Sequence, residues 1–219
     1  MVHGFGRPHR GTIDLIKMNE TRREPYPTKP RAAAATLLFW AALTWVAWLL
    51  MMLVHEAGHV VAAWSSGGVV QRLVWTALDF SRTDVHPNPH PLIVAWAGPL
   101  AGCLLPLIAF ALLRRRFVRT RLIAAYFAGF CLIANGTYIG IGAFEPIGDA
   151  DVMLRHATPP AVMMIFGVAA SATGLMLWHR ASADANRTMW KHLAITHWRV
   201  AIATAVAITL LAVVSNRLT

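Results

Sequence analysis

The sequence has few charged residues and few cysteines for its length. Of its 219 residues only 14% are charged, while 57% are hydrophobic. This scarcity of charge argues against an ordinary water-soluble domain, which needs a charged surface to face water. The two cysteines, Cys103 and Cys131, both lie in apolar runs, which argues against a disulfide scaffold. The composition instead indicates a chain whose apolar surface contacts a lipid bilayer.

The positive charge of the chain is large but dispersed. The formal net charge is +10, and the Lys and Arg residues cluster in flanks and connections rather than on one face. This distribution is typical of anchoring and orientation by anionic lipids, and we expect no nucleic-acid partner. Residues 1–31 are basic and rich in proline, and we predict a flexible or surface-lying tail there. They do not resemble a signal peptide, since the basic stretch is too long and no cleavage pattern follows.

Five apolar segments follow the tail, and each is near the ~20 residues that a helix needs to cross the hydrocarbon. The sequence therefore predicts an all-α polytopic membrane protein with about five transmembrane helices, at 33–65, 92–113, 122–143, 161–178 and 198–215. The first three segments belong to a membrane core, residues 32–157. The last two are C-terminal transmembrane helices within residues 158–219.

The stretch after the first apolar segment has a different pattern. Gly67 and Gly68 favour the end of the first helix, because glycine readily adopts the left-handed conformation of a helix cap. Residues 69–80 are rich in Val, Leu, Trp and Phe with imperfect polar alternation, which predicts a short strand or hairpin against the membrane face. Three prolines within residues 87–91 then predict an extended connection.

The connections differ in positive charge on the two sides of the membrane. The tail and the connections 114–121 and 179–199 contain 7, 5 and 4 Lys or Arg residues. The connections 66–90 and 144–160 and the C-terminus contain 2, 1 and 1. With five spans, the three richer regions lie on one side. The positive-inside rule therefore predicts a cytoplasmic N-terminus. We expect a multi-pass protein of a bacterial-type cell membrane.

An ionisable cluster interrupts the first apolar segment. No charged side chain occurs from Ala32 to Val54, and His55, Glu56 and His59 then follow within five positions. Residues four apart share one face of a helix, so both imidazoles can reach one metal ion, with Glu56 beside the position of a metal-bound water. Ionisable groups at membrane depth are costly and usually functional. The pattern predicts zinc-dependent hydrolysis inside a bilayer.

A catalytic zinc site has three protein ligands and one open position. The third ligand should come from another helix, and the candidates are Asp79, Asp84, His86, His90, Glu145, Asp149, Asp151 and His156. Those before residue 91 are explained by exposure in the loop. His86 and His90 repeat the four-residue spacing, but the intervening prolines deny them a shared helical face. We favour the cluster 145–151, which follows the third span at a break and precedes a new apolar pattern.

Three motifs occur in order along the core. The first is His55-Glu56-Ala57-Gly58-His59 followed by two glycines, the second is Ala97-Gly98-Pro99-Leu100 at the opening of the next span, and the third is Pro146 to Leu154. Together they resemble the site-2 protease family of intramembrane metalloproteases, whose third motif is Pro…Leu-Asp-Gly. The resemblance covers roughly residues 45–157. It implies a three-helix catalytic core, a zinc ion, Glu56 as catalytic base, and a transmembrane protein or peptide substrate.

The resemblance also implies an aspartate as third ligand, in one of two registers. In the family this aspartate opens a helix whose apolar residues come four and five positions later. From Asp149 those positions hold a methionine and a leucine, whereas from Asp151 they hold an arginine and a histidine. We therefore favour Asp149, with Asp151 as the alternative. Asn135 corresponds to a family asparagine that holds substrate backbone, but its spacing is longer, and an interhelical hydrogen bond is an equally good interpretation.

The resulting hypothesis is an intramembrane zinc metalloprotease that cleaves membrane-protein substrates within or near the bilayer. The alternatives are a non-proteolytic membrane metal-binding or transport protein and a His-box di-iron oxygenase. The sequence does not indicate an oligomeric state. His55 lies near the C-terminal end of the first segment, so a cytoplasmic N-terminus would place the site toward the outer side of the membrane. In many members of the site-2 protease family, the site instead opens toward the cytoplasm.

Overall fold

The computed structural model describes residues 29–184 and 187–218 of the chain. Within these residues the chain forms six helices and two strands. In chain order they are α1 Lys29–Ser65, β1 Val70–Val74, β2 Arg82–Val85, α2 Pro91–Leu112, α3 Val118–Gly142, α4 Asp149–Arg155, α5 Pro160–Asp184 and α6 Arg187–Leu218. The predicted tail, residues 1–31, lies outside the described residues except for its last three, which begin α1.

Five of the helices are long and apolar enough to cross a membrane, namely α1, α2, α3, α5 and α6. Their outward faces carry large exposed apolar side chains, such as Leu104, Val168 and Val206. Water would strongly disfavour such a surface, whereas the acyl chains of a bilayer accept it. The predicted fold class is therefore confirmed, and the helices are consistent with a multi-pass membrane protein.

The first helix is much longer than a single span requires. Its 37 residues correspond to about 55 Å at 1.5 Å per residue, against roughly 30 Å of hydrocarbon. It ends as the glycine pair predicts: Gly67 has a φ of 81°, and the Gly68 amide donates to the Ala63 carbonyl at 2.7 Å. The left-handed glycine satisfies the last carbonyls of the helix and turns the chain into the hairpin.

The helices pack as α1 against α2 and α6, and α3 against α2 and α5. Small residues permit the closest approaches. Gly58 of α1 lies directly against the Ala97 backbone of α2, and Gly167 of α5 lies against Gly140 of α3, so a side chain at either glycine would displace the facing helix. Membrane helices gain stability from such close contact, since lipid provides no hydrophobic drive between them.

The last helix differs most from its sequence-based prediction. The apolar pattern predicted a span at 198–215 preceded by a connection, but α6 begins at Arg187. Its first turns pack on α1, where Leu193 and Ala194 are buried against Phe39, and the Trp40 and Trp190 rings lie 5.1 Å apart. Packing against α1 thus stabilises helical turns that precede the most apolar part of α6. A hydropathy pattern cannot predict such contacts between helices.

The stretch after α1 forms the predicted hairpin. Strands β1 and β2 pair antiparallel, with Leu73 opposite Thr83. The indole of Trp75, directly after β1, is buried and donates to the Leu49 carbonyl of α1 at 3.1 Å. The second strand begins at Arg82, beyond the predicted 69–80 segment, and its polar residues lack a strand signal of their own. The hairpin is thereby fixed across the C-terminal part of α1.

Candidate metal centre

Two histidines of α1 and one aspartate of α4 meet at one point in the bundle. His55 and His59 are buried one turn apart on the inner face of α1, and Asp149 is the first residue of α4. The Asp149 Oδ2 atom lies 2.9 Å from Nε2 of His55 and 3.3 Å from Nε2 of His59. One ligand atom from each residue lies within 4.8 Å of the others, so the group could hold a metal ion.

The opposite nitrogen of each imidazole is held by a partner from another helix. His59 Nδ1 donates to the Val94 carbonyl of α2 at 2.7 Å, and His55 Nδ1 lies 2.7 Å from Oδ1 of Asn135 in α3. Because the Asn135 amide nitrogen donates to the Cys131 carbonyl, its oxygen is the acceptor for His55. These bonds put a proton on Nδ1 of both rings and turn both Nε2 atoms toward Asp149.

Two glycines of α2 make room for this arrangement. A side chain at Gly98 would run into both imidazole rings, and one at Gly102 would meet the amide of Asn135 within 2.8 Å. Gly98 belongs to the Ala97-Gly98-Pro99 motif singled out from the sequence. Its physical role here is to let α2 pass directly over the two histidines.

Asp149 is positioned by the turn that precedes it. Gly148 has a φ of 58°, which a side chain would disfavour, and the backbone amide of Asp149 donates to the Tyr138 hydroxyl of α3 at 2.9 Å. Burial raises the pKa of the Asp149 carboxyl, but the hydrogen bonds with His55 and His59 outweigh it and hold the pKa at about 2. The carboxylate is therefore ionised, as a metal ligand must be.

Asp151, the alternative third ligand, points elsewhere. It forms a two-point ion pair with Arg155 one turn further along α4, with contacts of 2.8 and 2.9 Å. The other candidates also lie outside the group of possible ligands found among the described residues; they are Asp79, Asp84, His86, His90, Glu145 and His156. Each of these six side chains is exposed. Of the two registers, the structure brings Asp149 to the histidines.

Asn135 is almost completely buried, at 1% exposure, and its amide is engaged by His55 and the Cys131 carbonyl. The structure thus contains the interhelical hydrogen bond considered from the sequence. The substrate-holding role stays a prediction. His55 and Asn135 lie 80 positions apart, so this partnership has no local sequence signal.

Glu56 is buried beside the two histidines, at 4% exposure, and the Thr83 hydroxyl of β2 donates to its Oε2 atom at 2.6 Å. This contact was not anticipated from the sequence, because a threonine in an irregular loop is unremarkable by type and spacing. Its consequence is that the hairpin covers Glu56 and holds the carboxylate in one orientation.

The chain matches no protein-family model, no curated protein and no solved structure. An assignment of function therefore rests on the chemistry of the site and on the sequence motifs.

Replacement of Asp149 by asparagine should weaken metal binding by more than about tenfold. Loss of a hydrogen-bond partner of a metal ligand already lowers affinity at least about tenfold, and Asp149 is itself a candidate ligand. The matched control is Asp151→Asn, which removes the same charge two residues away and should leave affinity unchanged. Metal content of the purified proteins, measured by mass spectrometry during chelator titration, checks both. Loss of metal from Asp151→Asn alone would contradict the assignment.

Replacement of Asn135 by leucine, a side chain of similar size, should lower metal affinity by about 10–100-fold, because the His55 ring loses the acceptor that orients it. Asn135→Asp retains an acceptor for Nδ1 and should retain most of the affinity. The same chelator titration measures both, with thermal unfolding of the metal-free proteins as a check on folding. Unchanged affinity in Asn135→Leu would show that Asn135 does not orient the ligand.

Proposed function

We propose that the chain is an intramembrane zinc metalloendopeptidase of the site-2 protease type, which hydrolyses peptide bonds of membrane proteins within or near the bilayer. The observation that carries the proposal is the convergence of His55, His59 and Asp149 beside the buried carboxylate of Glu56. A site for metal storage needs ligands only. Hydrolysis also requires a general base beside the ligands, and Glu56 is a carboxylate that lies next to the ligand group without belonging to it.

Zinc fits the donor set best. Two imidazole nitrogens and one carboxylate oxygen are the ligands of many catalytic zinc sites, which keep a fourth position open. Bound zinc supplies a water of lowered pKa, toward ~7, and polarises the scissile carbonyl. His55, His59 and Asp149 would hold the ion, and their outer partners are the Asn135 amide, the Val94 carbonyl and the Tyr138 hydroxyl.

In this proposal Glu56 acts as the general base and then as the general acid. Its carboxylate accepts a proton from the attacking water and later delivers it to the leaving amine. Thr83 donates a hydrogen bond to one carboxylate oxygen, Oε2. This bond stabilises the ionised form of Glu56 and fixes its rotamer, which leaves the other oxygen to face the water. Thr83 is therefore a positioning residue.

The substrate must reach this site in an extended form. The carbonyls of a helical substrate are engaged in i→i−4 hydrogen bonds, so they resist attack until the helix unwinds locally. The hairpin is the only sheet among the described residues, and its β2 strand contacts Glu56. We expect an unwound transmembrane segment to lie beside β2, where unpaired strand groups can bind its backbone.

The two alternatives differ in what they require. A di-iron oxygenase needs several histidine clusters, and the described residues contain one group of at least three metal-ligand side chains. A metal transporter needs His55, His59 and Asp149 but has no use for Glu56 as a base. Metal flux into proteoliposomes that survives loss of Glu56 would favour transport.

Replacement of Glu56 by glutamine should lower proteolysis by about 10²–10⁴-fold, the usual contribution of a general acid–base, while zinc content stays unchanged. Glu145→Gln is the matched control, because it makes the same substitution at an exposed glutamate. Cleavage of a generic unfolded protein and of single-span membrane proteins by zinc-loaded proteoliposomes measures the effect. Undiminished proteolysis by Glu56→Gln with zinc bound would exclude the proposed mechanism.

Replacement of Thr83 by valine removes the hydrogen bond to Glu56 but keeps the shape of the side chain. We expect kcat to fall about fivefold, as for the loss of one hydrogen bond worth about 1 kcal/mol, with zinc affinity unchanged. Thr83→Ser restores the hydroxyl and should restore the rate. Equal activity of the valine and serine variants would show that this bond plays no part in turnover.

A further inference from the structure

A cavity of about 480 Å³ lies at the end of the bundle opposite the metal centre. Helices α2, α3, α5 and α6 surround it, at the C-terminal ends of α2 and α5 and the beginnings of α3 and α6. Its volume is within the roughly 300–1,000 Å³ of typical small-molecule sites. None of its lining residues belongs to the metal centre, and the proposed proteolysis makes no use of it.

The lining of the cavity is amphiphilic. Its apolar part includes Leu122, Leu177 and Met189, and its charged part consists of Arg115, Arg121 and Arg180. No carboxylate is among the described residues that line the cavity, and the sequence contains no Asp or Glu between Asp84 and Glu145. Within the described lining, three positive charges therefore adjoin an apolar surface.

The three arginines are not equivalent. Arg121 donates to the carbonyls of Phe110 and Leu113 at the C-terminal end of α2, at 3.3 and 2.8 Å, and its guanidinium lies over the Phe110 ring. It is thus fixed as a structural part of the cavity wall. The side chains of Arg115 and Arg180 have no hydrogen-bond or ion-pair partner within the part of the chain that the structure describes. Their guanidinium groups can bind an anion.

The positive-inside rule alone would explain the positive charge at this end of the bundle. It does not require the arginines to line a cavity that also has an apolar wall. A free phosphate ion would use the arginines and leave the apolar surface exposed. A phospholipid with an anionic headgroup uses both, because basic pockets between transmembrane helices bind such headgroups while acyl chains cover the helix faces. We propose that this cavity binds an anionic phospholipid, with its phosphate paired to Arg115 and Arg180 and its chains against Leu122 and Leu177.

The test measures retention of phosphatidylglycerol by the delipidated full-length protein in detergent, by native mass spectrometry, with phosphatidylcholine as the zwitterionic comparison. The double variant Arg115→Gln/Arg180→Gln should bind phosphatidylglycerol about thirtyfold more weakly, the effect of removing two positive charges near the membrane surface. Arg114→Gln/Arg116→Gln is the matched control, because it also removes two positive charges, both beside Arg115, without changing the described cavity lining. It should retain nearly all of the binding.

A third variant, Ala181→Phe, fills the cavity without changing its charge and should also lower retention. Equal losses in the two arginine pairs would reduce the effect to general surface attraction and overturn the proposal, as would unchanged binding in Ala181→Phe. Displacement of the lipid by inorganic phosphate would identify a soluble anion as the ligand instead. Thermal unfolding and metal content, unchanged in all three variants, distinguish loss of this site from misfolding or failure of the metal centre.

Discussion

Every polar group at the centre of this helix bundle needs a partner, because the apolar surroundings offer none. The structure meets this constraint around His55, His59 and Asp149, where both ring nitrogens of each histidine and the aspartate are paired. Among buried side-chain polar atoms of the described residues, only Oδ1 of Asn88 lacks a partner, and it lies outside this cluster. An unpaired buried polar group costs about 1–3 kcal/mol, so the helices must be arranged to supply these bonds.

The arrangement of the helices follows from that requirement. The Val94 carbonyl brings α2 to His59, Asn135 brings α3 to His55, and the Tyr138 hydroxyl joins α3 to the start of α4. Close approach is achieved by glycine: Gly98 accommodates the imidazoles and Gly102 accommodates the Asn135 amide. The same bonds that satisfy buried groups also hold the three potential ligands in one orientation, so the stability and the chemistry of the centre have a common origin.

The two ends of the bundle carry different chemistry. The candidate metal centre lies toward the C-terminal end of α1, where the Thr83 hydroxyl of the hairpin donates to Glu56. The opposite end contains the arginines of the connection between α2 and α3 and the amphiphilic cavity. The proposed headgroup site therefore lies away from the candidate metal centre. Which end faces the cytoplasm stays a prediction of the charge count.

Sequence patterns were sufficient to predict the features that depend on local chemistry. Apolar segments of membrane-spanning length predicted the five long helices, the Gly67-Gly68 pair predicted the end of α1, and the spacing of His55 and His59 placed both imidazoles on one helical face. Each of these signals lies within a few residues of the chain, where helix geometry and backbone sterics determine the outcome.

What only the tertiary structure decided is which distant groups meet. The apolar positions that follow Asp149 favoured it over Asp151, but its contact with the histidines depends on the Gly148 turn and the Tyr138 hydroxyl, while Asp151 pairs with Arg155. The contact of Thr83 with Glu56 and the length of α6 likewise depend on packing between elements. No pattern within a single segment encodes such contacts, because they arise only when separate helices satisfy one another's buried polar and apolar surfaces.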